Sequence, residues 1–570
     1  MSQEVPKESL KKQTSELWKL FAFERYQKRL CLLLFLATFP NAFSGLQFLI
    51  IHFTPTYECS RMMETVKNET ESFPFVKYSR VVDKNGNKDP CFMHNVLASK
   101  YFTTTAEANR SVNETPVVNC DKIRYNSIYT SAVTEFDMIC ENAWKKHFLV
   151  SLYMVGKAVG GQFGGVLSDR FGRRPVFLFF TFLQFVASFL TSFAWNFTSY
   201  AIITFLSGTT AVVNFYAAML LGNEAVEPSK RNLMYFATES GFACGYMIMP
   251  LVGKFISDWR WFLRFSAFIG IIYIPYYWLI DETPIWLLAN NRTEDAKLLF
   301  AKILKMNKIE VSLSETDLKE LKSLLKHGSA KNEPSNVMLH YKKLCKSPIL
   351  LWRLFILSYT WAVVSMSYYV IALNNDNLSG DRFLNIFYAG LVEAASGVFF
   401  FAGSTKMGAH NAFMLMMIVD GLLLGCIPLL ASWSGKAVLV FTMLSKLLVA
   451  IAYNLVILYT GDVFPTTSRH SVIGLVDAFS RLGGICAPLI IFAGENGNTL
   501  ASSIGMGIAI FVSGLLFCFL PNTKNTPLPN TVEEAIKMKS VISIWYHQFF
   551  NKKSVSTEDD FAEAFEGQSV

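Results

Sequence analysis

The chain has 570 residues, of which 52% are hydrophobic and only 17% charged, and its formal net charge is +8. A soluble chain of this length would divide into several domains, but apolar runs of about twenty residues recur here and can cross a bilayer as helices. Lys and Arg cluster in the connectors between these runs, as in loops retained on the cytoplasmic side. Composition therefore predicts a multi-pass protein surrounded by membrane lipid, with no nucleic-acid partner.

Apolar runs in chain order predict twelve transmembrane helices. The polar, basic segment 1–28 precedes the first run, so this run is expected to remain in place as an anchor. When the runs are counted, the basic connectors fall on one side, which predicts that both termini are cytoplasmic. The predicted spans are 29–52, 147–167, 176–194, 200–222, 233–253, 261–281, 348–373, 383–403, 411–431, 437–460, 471–493 and 501–521.

The long connector 53–146 is predicted to face the extracellular side. It carries glycosylation sequons at Asn68, Asn109 and Asn113. It also holds four cysteines, an even number that predicts two disulfides in an oxidising compartment, with three pairings open. These cysteines are Cys59, Cys91, Cys120 and Cys140.

The connector after the second run, GGVLSDRFGRRPV at 164–176, combines charges with glycines. Gly164 and Gly165 would allow two helices to approach closely, and Gly172 suits a tight turn. Charges that served only to set topology would explain neither the aspartate nor the glycine spacing. The connector is therefore predicted to gate the cytoplasmic side through Gly165, Asp169, Arg170, Gly172, Arg173 and Arg174.

Carboxylates are the expected partners of these arginines. Asp169 is predicted at a helix N-terminus, paired with an arginine. Arg173 and Arg174 are predicted to reach carboxylates such as Glu224 or Asp462.

The same pattern occurs twice in the chain. STKMGAH at 404–410 follows the eighth run as SDRFGRR at 168–174 follows the second. A second motif repeats at nearly the same offset and places an acid seven residues before an arginine, first as Glu224 and Arg231 and then as Asp462 and Arg469. Two motifs at one offset indicate a duplicated six-helix unit.

This duplication predicts the fold class. It is an all-α membrane protein with the major facilitator fold, in which two six-helix halves rock around a site at the bilayer midplane. The halves are residues 29–281 and 348–521, joined by a cytoplasmic linker at 282–347 and followed by a cytoplasmic tail at 522–570.

Over nearly its whole length the chain resembles the organic ion transporters of the major facilitator superfamily, most closely their organic cation/carnitine branch. The resemblance rests on residues 164–176, on NFYAAMLLGNE at 214–224, on the Cys-rich outer loop and on SRLGGICAPL at 480–489. It implies a plasma-membrane carrier that works by alternating access on a small organic ion. No catalytic residue, metal site or cofactor is expected, apart from coupling to sodium or protons.

Charged residues inside apolar runs are costly and mark functional sites. Arg481 lies near the middle of the eleventh span. In the resembling family this position is acidic in cation transporters and arginine in anion and carnitine transporters, which implies a substrate carboxylate held bidentately. The alternative is an internal pair with Asp477, one turn earlier. Lys446 is either a second cationic residue of the site or the partner of an acid on another helix.

Two acids and several aromatic residues complete the candidate site. Glu239 and Glu393 are candidates for ion coupling, with structural pairing as the alternative for each. Aromatic side chains can hold an onium group by cation–π contact, although each could equally serve packing. Lys157 and Asp420 lie near span centres, and no role is predicted for them. The candidates around the cavity are Asn214, Phe215, Tyr216, Trp361, Tyr368 and Tyr369.

The predicted function is transport of a small organic ion, with a zwitterion such as carnitine or another betaine as the expected substrate. The alternative is an organic anion transporter. Departures from the family pattern, such as Ile285 in DETPIWL at 281–287 and the altered copy at 404–410, also leave open a sensor or scaffold that does not transport. The oligomeric state is not predicted.

Overall fold

Twelve long helices dominate the computed structural model, which describes residues 21–59, 78–82, 88–95, 117–119, 123–227, 230–309, 347–431, 434–465, 469–496, 499–524, 526, 529, 531–538 and 540. Each long helix overlaps one predicted span. The helices are α1 (Arg25–Gly45), α2 (Trp144–Phe171), α3 (Arg173–Thr191), α4 (Phe197–Glu224), α5 (Arg231–Phe255), α6 (Trp259–Ile269), α7 (Pro348–Leu373), α8 (Arg382–Lys406), α9 (Ala409–Ala431), α10 (Gly435–Val463), α11 (Arg469–Asn496) and α12 (Thr499–Leu516).

Ten of these spans are long and apolar enough to cross a membrane on their own composition. The sixth span includes α6, a 3-10 turn at Gly270–Tyr273 and a short helix at Tyr276–Leu279. Pro275, which has no N–H to donate, separates the last two pieces. The remaining two spans, α2 and α5, carry more polar and small residues, because their faces pack against other helices.

Glycines determine how closely α2 approaches α4. A Cβ at Gly156 or Gly160 would collide with the backbone of α4, and one at Gly164 would lie 2.9 Å from the Val213 side chain. This is the small-residue spacing that brings membrane helices together. A Cβ at Gly165 would meet nothing within 4 Å. The prediction of close approach is therefore wrong for Gly165, because its position on the helix turns it away from α4.

Each half has an apolar core of its own. In the N-terminal half, α1 packs on α5, and α4 packs on α2 and α3. In the C-terminal half, α7 packs on α11, and α9 packs on α10 and α12. The halves meet where α5 lies against α8 and α2 lies against α11. These two seams border the region in which a site shared by the halves can lie.

The outer loop contains short antiparallel strands. They are β1 (Tyr57–Cys59), β2 (Tyr78–Val82), β3 (Lys88–Asn95), β4 (Val117–Asn119) and β5 (Ile123–Tyr125). Strand β1 pairs with β5, and β2, β3 and β4 form a second sheet in that order. These strands lie in the loop, so the membrane-spanning part remains helical.

A disulfide joins Cys91 of β3 to Cys140, just before α2. The side chain of Cys59 and the whole of Cys120 lie outside the described residues, as do the sequons at Asn68, Asn109 and Asn113.

The linker predicted to be cytoplasmic begins with two helices, Pro284–Ala289 and Thr293–Asn307, that pack under the N-terminal half. The rest of the linker, 310–346, lies outside the described residues. In the tail, the short helix Val532–Lys537 lies under α7, where buried Arg353 donates to the carbonyl of Ala535 at 2.6 Å.

Candidate substrate site between the two halves

Arg481 lies near the middle of α11, between the halves. Its guanidinium donates to the two Asp477 carboxylate oxygens at 3.1 and 3.2 Å. It also hydrogen-bonds the Tyr216 hydroxyl of α4, which in turn donates to Asp477 at 3.2 Å. The internal pair considered from the sequence is therefore present, and it is shared with the opposite half through Tyr216.

Lys157 of α2 and Tyr369 of α7 lie in the same region. The Lys157 ammonium donates to the Tyr369 hydroxyl at 3.0 Å and lies 5.5 Å from the centre of its ring. Gly484 of α11, one turn beyond Arg481, faces that ring, because a Cβ there would lie 3.3 Å from it. We call the group Lys157, Tyr216, Tyr369, Asp477 and Arg481 the arginine cluster.

A second ionic group lies along the seam between α5 and α8. Lys446 of α10 is 2% exposed, and its ammonium lies 3.7 Å from Glu393 Oε2 of α8. It also donates to the Tyr246 hydroxyl of α5 at 3.1 Å, while the Tyr368 hydroxyl donates to Glu393 at 3.1 Å. Glu239 of α5 interacts electrostatically with Glu393. We call these five residues the glutamate cluster.

Of the two alternatives for Lys446, the structure therefore favours the partner of an acid on another helix. Burying such a pair costs desolvation energy, which the additional hydrogen bonds partly offset.

Three tyrosines lie where the two clusters meet, and we call Tyr368, Tyr369 and Tyr453 the tyrosine wall. Tyr368 and Tyr369 are neighbours on α7, with ring centres 5.3 Å apart, and they point to different clusters. The ring of Tyr453 on α10 lies 6.1 Å from that of Tyr368. Electron-rich ring faces of this kind can attract an onium group by cation–π interaction.

Three of the residues predicted to contact the substrate lie outside the two clusters. Asn214 is fully buried in the N-terminal half and donates to Asn41 at 3.1 Å and Gln184 at 2.7 Å. Trp361 is buried in the C-terminal half, where its indole N–H donates to the Thr460 hydroxyl at 3.0 Å. In this conformation both side chains are buried in the core of one half, and their contact with a substrate stays a prediction.

Phe215 is half-buried beside Tyr216, with ring centres 6.3 Å apart. This third predicted substrate contact borders the arginine cluster, but it makes no polar contact with the cluster among the described residues.

At the ends next to the loop 53–146, predicted to be extracellular and called the outer ends, the two halves are joined directly. His147 of α2 meets Glu495 of α11 at 2.9 Å, and Ser151 donates to the Ile485 carbonyl at 2.9 Å. Arg382, at the start of α8, donates to the backbone carbonyl of Leu49. The outer side of the molecule is therefore closed.

The seam between α5 and α8 adds an ion pair and a close backbone approach. Lys254 lies 3.0 Å from Asp381. Burial of Asp381 acts in the opposite direction, but the hydrogen bonds from Lys254 and from two backbone N–H groups hold its pKa below the ordinary value. Gly390 lies so close to α5 that a Cβ there would be 2.8 Å from the backbone nitrogen of Met247.

At the opposite ends, predicted to be cytoplasmic and called the cytoplasmic ends, the described ion pairs lie within one half. Arg173 lies 2.8 Å from Glu224 of α4 and 3.0 Å from Asp169. The Thr283 hydroxyl donates to Glu224 at 2.5 Å, and Glu282 accepts the backbone N–H of Arg173 at 3.0 Å. Burial raises the pKa of Glu282, more than its hydrogen bonds to the backbone lower it.

Asp169, Arg170 and Arg174 of the connector differ from the predicted gate in their positions or partners. Asp169 lies in the last turn of α2, not at a helix N-terminus. Arg174 donates to the Tyr277 carbonyl at 2.5 Å, and Arg170 is exposed against the ring of Phe171. Gly172 occupies the turn with φ +105, as its predicted role requires.

In the C-terminal half, Asp462 accepts from the Thr523 hydroxyl at 3.5 Å and interacts electrostatically with Arg469. Arg231, the counterpart of Arg469 in the N-terminal half, is exposed. No described contact links Asp462 to Arg173 or Arg174. The described residues of the predicted gate therefore stabilise each half separately, because their partners lie on helices of the same half.

Sequence reasoning passed over Lys157, Tyr246 and Tyr453. Lys157 gave the same signal as Arg481, a charge near the centre of a span. Tyr453 follows Lys446 by two helical turns and so shares its face of α10. Tyr246 carries no sequence signal that separates it from a packing aromatic.

Comparisons with known proteins agree on the family and the fold. The sequence profile of the Major Facilitator Superfamily matches residues 143–488. Organic cation/carnitine transporter 2 of Homo sapiens is 28% identical over 530 residues, which cover 90% of this chain and 92% of that protein. Solute carrier family 22 member 4 of Mus musculus is 27% identical over 528 residues, covering 90% and 93%.

Among solved structures, the inward open conformation of the xylose transporter XylE from E. coli superposes with a TM-score of 0.55 at 16% identity, covering 71% of this chain and 92% of that one. At this identity the likeness concerns the fold alone. These matches confirm the predicted fold class and the predicted resemblance to organic cation/carnitine transporters.

Proposed function

Because this chain belongs to the major facilitator superfamily, and is thus a membrane transporter rather than an enzyme, we propose that it moves small organic zwitterions, such as carnitine or related betaines, by alternating access. We place it in the plasma membrane with both termini in the cytoplasm. Relatives named for organic cations and carnitine support this class of substrate.

One observation carries the proposal. Glu393 accepts a hydrogen bond from Tyr368, whereas the neighbouring Tyr369 lies against α11 one turn from Arg481. A zwitterion could place its carboxylate at the arginine and its onium group against the tyrosine rings, near the glutamates. A simple cation would use only one of the two clusters.

The composition of the clusters supports alternating access. Each cluster contains residues of both halves, such as Tyr216 and Arg481 in one and Tyr246 and Lys446 in the other. A substrate that competes for these bonds would loosen the contact between the halves at the site. Glu239, which faces Glu393, is the proposed position for a coupling proton or sodium ion.

Uptake measurements test the proposal. Cells expressing the chain are offered labelled carnitine, tetraethylammonium and a dicarboxylate, each with and without sodium. We expect saturable carnitine uptake that Arg481→Ala abolishes. Arg124→Ala serves as the matched control, because that arginine is exposed on β5, in the loop between α1 and α2.

The other outcomes separate the alternatives. Uptake of the dicarboxylate but not of carnitine, lost in Arg481→Asp without any gain in tetraethylammonium uptake, would establish an anion transporter instead. Absence of saturable uptake for every probe, with the protein present at the cell surface, would favour the sensor or scaffold. Uptake of tetraethylammonium alone would contradict the role given to Arg481.

A further inference from the structure

The arginine cluster contains more positive charge than its own carboxylate can neutralise. Arg481 is paired with Asp477 at 3.1 Å, so these two residues together carry no net charge. Lys157 adds a second cation. Within the described part of the chain, no carboxylate oxygen lies within the 4.0 Å of an ion pair from its ammonium. A cation placed in a membrane span without a counter-ion is costly and is retained for a function.

The described contacts of the Lys157 ammonium are with neutral groups. Its ammonium donates to the Tyr369 hydroxyl at 3.0 Å and lies 5.5 and 6.0 Å from the ring centres of Tyr369 and Tyr153. A neutral hydroxyl and ring faces stabilise an ammonium less than a carboxylate does. An incoming anion would therefore be the better partner.

Lys157 also lies close to the residues that surround Arg481. Gly161, one turn further along α2, faces Tyr216, since a Cβ there would lie 3.7 Å from that ring. Tyr216 hydrogen-bonds Arg481. On the other side, the Tyr369 ring lies between Lys157 and position 484 of α11. Lys157 of the N-terminal half and Arg481 of the C-terminal half therefore both lie beside Tyr369.

On the basis of the proposed function, we propose that Lys157 is an anion-binding residue that holds the substrate's single carboxylate together with Arg481. The Tyr369 hydroxyl gives up its hydrogen bond to the ammonium when the carboxylate enters. Because Lys157 belongs to α2 and Tyr369 to α7, this exchange releases one link between the halves. It replaces the link with the substrate, which both halves then contact.

The test compares Lys157→Gln with Tyr369→Phe in carnitine uptake. Tyr369→Phe removes the hydrogen bond and keeps the charge of Lys157, whereas Lys157→Gln removes the charge and keeps a hydrogen-bond donor at position 157. We expect the KM for carnitine to rise about ten-fold or more in Lys157→Gln and to stay within about two-fold of wild type in Tyr369→Phe. Lys157→Arg, which keeps the charge, should stay within about three-fold.

Lys145→Gln is the matched control. Lys145 lies at the outer end of the same helix, 5.4 Å from the ring centre of Phe197, and should leave KM unchanged. Equal KM effects in Lys157→Gln and Tyr369→Phe would show that Lys157 only braces α2 against α7. An unchanged KM in Lys157→Gln would also overturn the proposal.

If Lys157→Gln does not reach the cell surface, Lys157→Arg becomes the test of the proposal. A ten-fold rise in the KM of Lys157→Arg would contradict a role based on charge. The proposed function fails separately, because wild-type protein would then show no carnitine uptake. Loss of uptake in Arg481→Ala with normal KM in Lys157→Gln would overturn the inference alone.

Discussion

The outer and cytoplasmic ends of the two halves use their polar residues in opposite ways. At the outer ends, His147, Lys254 and Arg382 bond to residues of the other half. At the cytoplasmic ends, Arg173 bonds within its own half, and Asp462 faces a hydroxyl and an arginine of its own half. Outer residues therefore hold the halves together, whereas inner residues hold each half in shape.

Between these ends, a few hydrogen bonds join the two halves, and some of them involve charged groups. We call these bonds the inner layer. The Tyr235 hydroxyl of α5 donates to Asn454 of α10 at 2.8 Å, and Tyr216 donates to Asp477 at 3.2 Å. In the proposed alternating access, opening to the cytoplasm breaks this layer, and no ion pair between described residues of the two halves lies closer to that side. Opening to the outside must separate ion pairs and a tightly packed helix seam. The difference explains why the molecule is closed on its outer side.

The largest effect is expected from Gly390→Val. A Cβ at this position would lie 2.8 Å from the Met247 backbone nitrogen, so the outer seam could not close. Carnitine uptake should fall at least about ten-fold while the amount of protein at the cell surface is unchanged. Surface labelling and uptake are measured together.

Gly505→Val in α12 is the matched control, because a Cβ there meets nothing within 4 Å. Wild-type uptake in Gly390→Val would show that transport does not require the observed approach of α5 and α8.

A smaller effect, on stability, is expected from Arg173→Ala. The variant leaves Glu224, whose side chain is 15% exposed, without its cation, which costs about 3 kcal/mol. Thermal unfolding of the purified protein should therefore begin at a lower temperature. Lys406→Ala in the altered copy removes an exposed lysine and should leave unfolding unchanged. Normal stability combined with altered access to the cavity would instead indicate that Arg173 acts between the halves.

The smallest effect is expected from Tyr235→Phe. It removes the hydrogen bond to Asn454 that joins the halves, about 1 kcal/mol, besides a bond to Glu239 within the N-terminal half, and should shift the equilibrium about five-fold towards cytoplasmic opening. The measurement is the rate at which a maleimide labels Gly161→Cys from the cytoplasmic side. Tyr359→Phe, which loses a hydrogen bond to Ala509 within one half, is the control. Equal labelling rates in the two variants would mean that Tyr235 does not help to close the inner side.

Local sequence was sufficient for features that depend on one helix or one repeat. Apolar runs located the spans, because a bilayer leaves no alternative to a helix of that length. Two motifs at one offset indicated the duplicated halves. The pair of Arg481 with Asp477 followed from their spacing of four residues on a helix.

Tertiary structure alone decided which face of each helix meets which neighbour. Helix rotation turned Asn214 into the N-terminal core, and it separated Gly164, which packs on Val213, from the adjacent Gly165. It also brought Lys157 to Tyr369, although the two lie in different halves. The sequence marks a charge as costly within a span, but its partner depends on packing between helices that are distant in the chain.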